Sequence, residues 1–313
     1  MKIAVIFTGG TIGSRPDDGW ISADRETKFQ LVENFKTSRN EIAEFICTEP
    51  YFILSENLSA KELNLLVSAF KEAEKSEVDG IIVTHGTDSL QFSAAALSLV
   101  SENKKPTLLV SANHPLDDPR GNGNENFAAA VDFILQGCGK GVYVSYKNPS
   151  GEHFFHKGGK TAAFLEGDDR LFSLGHKPYA VWKNEGIEIL GEETPLPSVS
   201  PCELTDRPQI LCPTAMPCDS FDYSLQKVKA VILRPYHSGT LNTASADFVD
   251  FLKRAKDTGL PVFLCNAPKG ETYETAKLYD ELGIIPLPDT TFAFVYMRLW
   301  FGISRGENLY RIF

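Results

Sequence analysis

The sequence predicts an α/β protein: a parallel-sheet N-terminal domain with flanking helices, followed by a smaller α/β C-terminal domain. Three observations carry this. Short apolar, β-branched runs alternate with stretches of helical periodicity, the pattern of strands joined by crossover helices. The strand runs are apolar throughout rather than alternating, as strands covered on both faces require. Residues 190–225 break the pattern with Pro195, Pro197, Pro201, Pro208, Pro213 and Pro217, after which it resumes. The expected organisation is a first domain over 1–190, a linker over 191–206 and a second domain over 207–313.

The first run, 2–7 (KIAVIF), reads as a buried strand ending in a Gly-rich turn. Further apolar stretches follow at 42–47 and 51–54. Ser59 and Glu62 form a capping box, in which the hydroxyl takes a free amide and the carboxylate reaches back. It opens a helix to about Lys75, with Leu63, Leu66, Val67 and Phe70 on one face. Residues 80–84 (GIIVT) are a strand, and a helix runs from the following His85–Asp88 turn to about Ser101. Residues 107–112 are a strand, 126–135 a helix, and 142–146 a fifth strand. The proline-rich region holds an irregular strand. Beyond it come a strand at 229–236, a helix at 243–258 closed by Gly259, and a strand at 261–266. Helices at 273–282, closed by Gly283, and 290–303 complete the chain.

Composition narrows the function. Lys plus Arg number 31 against 41 Asp plus Glu, a formal charge of −10. Broad nucleic-acid or anionic-membrane binding needs a cationic face, so neither is expected. No apolar run approaches a membrane span, and the short apolar start lacks the features of a signal peptide; a cytoplasmic location is the expectation. The six cysteines form no CxxC pair and read as free or buried thiols. No metal and no other cofactor is expected.

In a parallel sheet the ligand sits at the carboxyl ends of the strands. Three motifs fall there: TGGTIG at 8–13, THGTDS at 84–89 and SANHPLDDPRGNGN at 111–124. In the first, adjacent glycines turn the chain sharply beside the Thr11 hydroxyl. The spacing matches neither GxGxxG nor a P-loop, leaving a tight turn or amides poised to stabilise an oxyanion. In the second, Thr87 supplies another hydroxyl with Asp88 beside it, either as helix N-cap or as orienter of a base. His85, at a buried strand end, reads as a packed residue. Lys157 and Lys160, in the Gly-rich stretch after the fifth strand, are solvated loop lysines or, with a lowered pKa, proton acceptors.

TGGTIG, the block GIIVTHGTDSLQFSAAAL and the block SANHPL…GNGNENFAAAV together resemble the signature regions of the bacterial L-asparaginase/glutaminase family, most nearly its cytoplasmic, type I-like branch. KAVILRPYHSGT extends the resemblance into the C-terminal domain. That family hydrolyses the side-chain amide of L-asparagine to L-aspartate and ammonia. The resemblance implies Thr11 as nucleophile and Thr87, Asp88 and a lysine, Lys157 or Lys160, as the second hydroxyl–base set. It implies Gly10 and Gly86 at the substrate and oxyanion site, and Ser55 and Glu56 as holders of the substrate's α-carboxylate and α-ammonium. It also implies a homodimer or homotetramer, with each site completed by a neighbour.

The sequence departs from the family at several positions. Trp20 stands where the family's mobile loop has a Tyr, and an indole cannot share the nucleophile's proton although it can close the pocket. The family's Thr-Lys pair is absent, and Ala293 occupies a place where related chains often have Glu. Besides amide hydrolysis, three readings follow: a small-amino-acid-binding protein with little or no turnover, an ammonia-supplying module of a tRNA-linked amidotransferase, and a nucleotide-binding Rossmann enzyme.

Overall fold

The computed structural model describes residues 1–24, 27–39, 42–183, 186–192, 198–270 and 272–313. Pro195, Pro197 and the part of the expected linker around them lie outside the described residues. The chain forms two compact units, Met1–Pro201 and Cys202–Phe313.

The first unit contains β1 (Lys2–Phe7), a hairpin of β2 (Ser14–Asp17) and β3 (Trp20–Ala23), α1 (Thr27–Arg39), β4 (Glu44–Thr48), α2 (Ala60–Lys75), β5 (Gly80–Thr84), α3 (Leu90–Val100), β6 (Pro106–Val110), α4 (Gly123–Leu135) and β7 (Gly141–Lys147). It ends in β8 (His153–Lys157), β9 (Ala180–Lys183) and β10 (Gly186–Ile189). Eight strands form one sheet in the order β10-β9-β8-β7-β6-β5-β1-β4. The five strands from β7 to β4 are parallel, and β8, β9 and β10 extend the sheet antiparallel.

Strand order reverses beside β1, whose neighbours are β4 on one side and β5 on the other. The chain leaves β1 in one direction and β5 in the other, which opens a crevice at their carboxyl ends. Ile3, Val5 and Phe7 of β1 pack in one core with Leu31, Val32 and Phe35 of α1 and with Phe127, Val131 and Phe133 of α4. The buried residues of α2 and α3 stand outside that core, on the opposite face. Steps β5→β6 and β6→β7 run the same way across the sheet, yet α3 and α4 cover different faces. The crossovers through α1, α2 and α3 share one hand, so β6–α4–β7 has the other. Against the strong preference for right-handed crossovers it is left-handed.

The second unit is a parallel sheet of β11 (Ile210–Leu211), β12 (Ala230–Leu233), β13 (Val262–Ala267) and β14 (Ile284–Pro288), with α5 (Ala246–Asp257) and α6 (Phe292–Ser304). Ser245 caps α5 by accepting from the Phe248 amide, and Gly259 follows with φ 70°. The predicted helix over 273–282 is instead a single 3₁₀ turn, Glu274–Leu278, and β14, unpredicted, follows Gly283.

Other expectations are adjusted in detail. The helix expected from the 85–88 turn begins at Leu90, and the one expected from Asn126 begins at Gly123. Ser59 is the N-cap of α2, but its hydroxyl bonds the Glu62 carboxylate rather than an amide. Helix α1 went unpredicted because its apolar residues are few and scattered among charges. Its buried face is made by Leu31, Val32 and Phe35, with Phe35 edge-on to Phe127 at 5.6 Å. Among the described residues no helix is long and apolar enough to cross a membrane. The six cysteines are free thiols.

Candidate active site

The carboxyl ends of β1 and β5 are tied together before either loop begins. Thr8 Oγ1 donates to the Thr84 carbonyl at 2.6 Å, and the Thr8 amide donates to Thr84 Oγ1 at 3.3 Å. Beyond this tie, Gly9 and Gly10 turn with φ of 97° and 80°, a region most side chains avoid. There is also no room for a side chain. A Cβ on Gly9 would lie 2.3 Å from the Ile53 carbonyl oxygen, and one on Gly10 would lie 2.3 Å from the Gly86 amide nitrogen. The Gly10 amide donates to Ile53 O at 2.8 Å.

Gly86 completes the arrangement, since a Cβ there would sit 2.4 Å from Ser55 Oγ and 3.1 Å from the Gly10 Cα. Three loops therefore clasp each other, backbone against backbone: 8–13, 53–57 and 84–89. Ser55 is buried, and its Oγ accepts the Asp88 amide at 3.2 Å and lies 3.5 Å from Asp88 Oδ2. Ser89 Oγ donates to the Ser55 carbonyl at 2.7 Å. Thr11 opens a 3₁₀ turn directly after Gly10 and is half-buried, as is Thr87 directly after Gly86. Asp88 and Glu56 are exposed. Ser89, not Asp88, is the residue before α3, and its side chain makes no capping bond.

His85 is buried within the clasp. Its Nδ1 is 2.8 Å from the Gly86 carbonyl, which only accepts, so Nδ1 carries the proton and Nε2 accepts from Ser93 Oγ at 2.7 Å. Burial pushes its pKa down to about 4. It is a neutral strut that fixes the Gly86 peptide, the packed role its position in the sequence suggested.

The structure thus brings Gly10, Gly86, Ser55 and Asp88 together, with Thr11 and Thr87 as the adjoining residues. It does not bring Lys157 there. Lys157 ends β8 and pairs with Tyr143, near the amino end of β7, whereas the carboxyl end of β7 is Lys147, opposite His153. Its ammonium bonds the Glu192 carbonyl and lies 5.4 Å from the centre of the Tyr179 ring. Lys160 closes the turn whose Gly158 packs against Ala94 and Ser98, near the middle of α3, the helix that follows directly on the 84–89 loop. Sequence spacing placed Lys157 in a loop because the antiparallel strand β8 was not legible. Trp20 is 77% exposed at the tip of the β2–β3 hairpin, after a turn through Asp18 and Gly19 with φ of 44° and 85°. Ala293 is buried in α6.

Asparagines of the third motif, not singled out beforehand, also shape this edge. Asn113 and Asn122 exchange amide-to-side-chain bonds at 3.0 and 3.2 Å, and Asn122 Nδ2 donates to the Lys147 carbonyl at 2.8 Å. Asn126 Nδ2 donates to Ser111 O, and its Oδ1 accepts the Lys147 amide, at 2.9 and 2.7 Å. They join the ends of β6 and β7. Their signal in the sequence was the run of Asn at 113, 122, 124 and 126.

The clasp is testable through its glycines. Gly10→Ala is expected to cost about 2–3 kcal/mol of stability, from forced positive φ and from backbone displacement. Gly19→Ala has the same kind of φ but open space around it, so about 1 kcal/mol is expected. Urea unfolding of the two variants measures the difference; equal losses would mean that the Gly10–Gly86 contact carries no energy.

Residues 2–161, which include all three clasped loops, match the family described as asparaginase, N-terminal. L-asparaginase 1 of Escherichia coli K12 is 28% identical, across 97% of this chain and 92% of that protein. A glutamyl-tRNA(Gln) amidotransferase component of Methanosarcina mazei is 31% identical over 51% of this chain and 38% of its own length. In fold, the thermostable L-asparaginase of Thermococcus kodakarensis superposes with a TM-score of 0.83 at 21% identity, covering 100% of this chain and 95% of that one. The two-sheet α/β architecture is shared, and the family match spans the clasped loops and most of the large sheet: this chain belongs to the asparaginase family.

Proposed function

We propose that this protein hydrolyses the side-chain amide of L-asparagine, or of a closely related amide, to the acid and ammonia, with Thr11 as nucleophile. The observation that carries this reading is the Gly10–Gly86 contact, which leaves two threonine hydroxyls as the next residues of two touching loops. Thr11 Oγ attacks the amide carbon and forms an ester as the C–N bond breaks, and the leaving nitrogen takes a proton to depart as ammonia. Water then cleaves the ester and restores the hydroxyl. Amides of the glycine turns face the developing oxyanion, a contribution of the order of 3 kcal/mol for one well-placed donor. We assign the nucleophile's proton to Thr87 and Asp88, with Lys160, whose turn packs against α3, as the lysine of that set rather than Lys157. Ser55, Asp88 and Glu56 supply a hydroxyl and two carboxylates for a zwitterion's charged ends. The family membership and the full-length similarity to an L-asparaginase support the reaction class. The reading includes a cytoplasmic enzyme that assembles as a homodimer or homotetramer.

Ammonia release from L-asparagine, L-glutamine and related amides by the purified protein is the test. Asp88→Asn is expected to reduce kcat/KM by about two orders of magnitude through the lost carboxylate. A variant as active as the parent would take Asp88 out of the site. A second reading, amino-acid binding with little or no turnover, is favoured by the position of Lys157 and the exposure of Trp20. It predicts thermal stabilisation by L-asparagine or L-aspartate with no ammonia formed.

A further inference from the structure

On the α1/α4 face the sheet runs on past the helices into β8, β9 and β10, and a cleft of about 620 Å3 opens there. Its lining includes Arg39, Asp132, Lys147, His153, Trp182 and Lys183, none of them from the threonine loops. Two of its acceptors are short of donors. His153 is only 3% exposed, and its Nε2 lies 2.9 Å from Ser145 Oγ. The Ser145 hydroxyl donates to the Asn126 carbonyl at 3.0 Å, so it accepts from Nε2–H, and Nδ1 is left as a bare acceptor. Nδ1 has no hydrogen-bond partner among the described residues. That nitrogen is itself covered by its surroundings, so the acceptor a ligand can reach is the other one.

Asp132 is the second. Its carboxylate is nearly buried, and its partner Arg39 stands at 3.4–3.5 Å, the outer limit of a hydrogen bond. The guanidinium is drawn across the Trp182 ring, 5.9 Å from its centre. Burial pushes the Asp132 carboxyl above its usual range in spite of Arg39. Around the mouth, Lys147 and Lys183 pair with the exposed carboxylates of Glu125 and Glu188. Such exposed pairs are weak and exchange readily for a ligand's carboxylate.

We propose that this cleft is a second ligand site, for a small amino-carboxylate zwitterion: its ammonium donates to Asp132 beside the Trp182 ring, and its carboxylate pairs with Lys147 or Lys183. A simple anion would meet the Asp132 carboxylate, and a dication would meet three cationic side chains. A zwitterion satisfies both sets at once. The proposal is independent of the chemistry assigned to the threonine loops.

The probe is 4-aminobutanoate, which has no α-amino acid group and no amide, titrated by calorimetry into the full-length protein. Its trimethylammonio analogue keeps the charges but has no N–H. The parent is expected to bind the amine with a millimolar or tighter Kd and the trimethylated analogue at least about tenfold more weakly. Asp132→Asn is expected to raise the Kd about tenfold, and Thr11→Ala to leave it unchanged. Lys147→Gln, a partly exposed change, gives the same direction should Asp132→Asn fail to fold. Equal binding of the two probes, no binding at all, or binding lost in Thr11→Ala but kept in Asp132→Asn would overturn the site.

Discussion

Thr11→Ala is expected to slow ammonia release from L-asparagine by about 10³-fold or more, about 4 kcal/mol of transition-state stabilisation. The loss should fall on kcat rather than KM, because the proposed function gives the substrate's charged ends to Ser55, Asp88 and Glu56 and not to this hydroxyl. Thr11 is half-buried in a single 3₁₀ turn, so its truncation removes little packing. Far-ultraviolet circular dichroism and urea unfolding should match the parent within about 1 kcal/mol. Thr11→Ser keeps the hydroxyl and is expected to retain most of the activity. Thr87→Ala should also be slow, but by accumulation of the ester or by failure to form it, which mass spectrometry of the quenched enzyme separates. A Thr11→Ala protein as active as the parent would pass the nucleophile role elsewhere, with Thr87 as the first alternative.

The second large effect is acid lability. Three histidines are buried and neutral: burial lowers the pKa of His85 to about 4 and those of His153 and His156 to about 3. In the unfolded chain an imidazole titrates near ~6.5. Below that pH the unfolded state binds protons that the folded state refuses, so stability falls as pH falls. The loss continues until the folded-state pKa is reached, near 4 for His85 and near 3 for the other two. Each imidazole costs about 1.4 kcal/mol per pH unit in that window, so three together cost about 4 kcal/mol per unit. Between pH 6.5 and 5 the sum is about 6 kcal/mol, the size of a typical domain's whole stability. Unfolding is therefore expected above pH 4, with uptake of about three protons at pH 5 to 5.5. Urea titrations at pH 7, 6 and 5 measure it, and a flat free energy across that range would show that these rings are charged in the folded protein.

Burial keeps these rings neutral, and the hydrogen bonds around them fix how they sit. The Gly86 carbonyl and Ser93 hold both nitrogens of His85, and Ser173 Oγ lies 2.8 Å from His156 Nδ1. His85 links the acid sensitivity to the clasp, since protonating Nε2 would reverse its bond with Ser93 and put a charge in the buried site that holds the Gly86 peptide. Activity should accordingly decline with pH before global unfolding is complete.

Much of this protein was determined by its sequence alone. Strands β1, β5, β6, β7, β12 and β13 were legible as unbroken apolar runs, and α2, α5 and α6 as amphipathic or apolar stretches with identifiable ends. The glycine turns at the ends of β1 and β5 were legible as turns, because side-chain pattern and turn residues act over a few positions and are written locally. The antiparallel strands β8, β9 and β10 were not legible: each is short and mixed in polarity, and no helix follows to betray a crossover. That is why Lys157 read as a loop residue. Only the tertiary structure decided that β5 lies beside β1, that Gly10 touches Gly86 with no space for a methyl group, and that α4 crosses with the uncommon hand. Those choices depend on which buried faces fit against which across long stretches of chain, a competition among distant contacts that no single window of residues records.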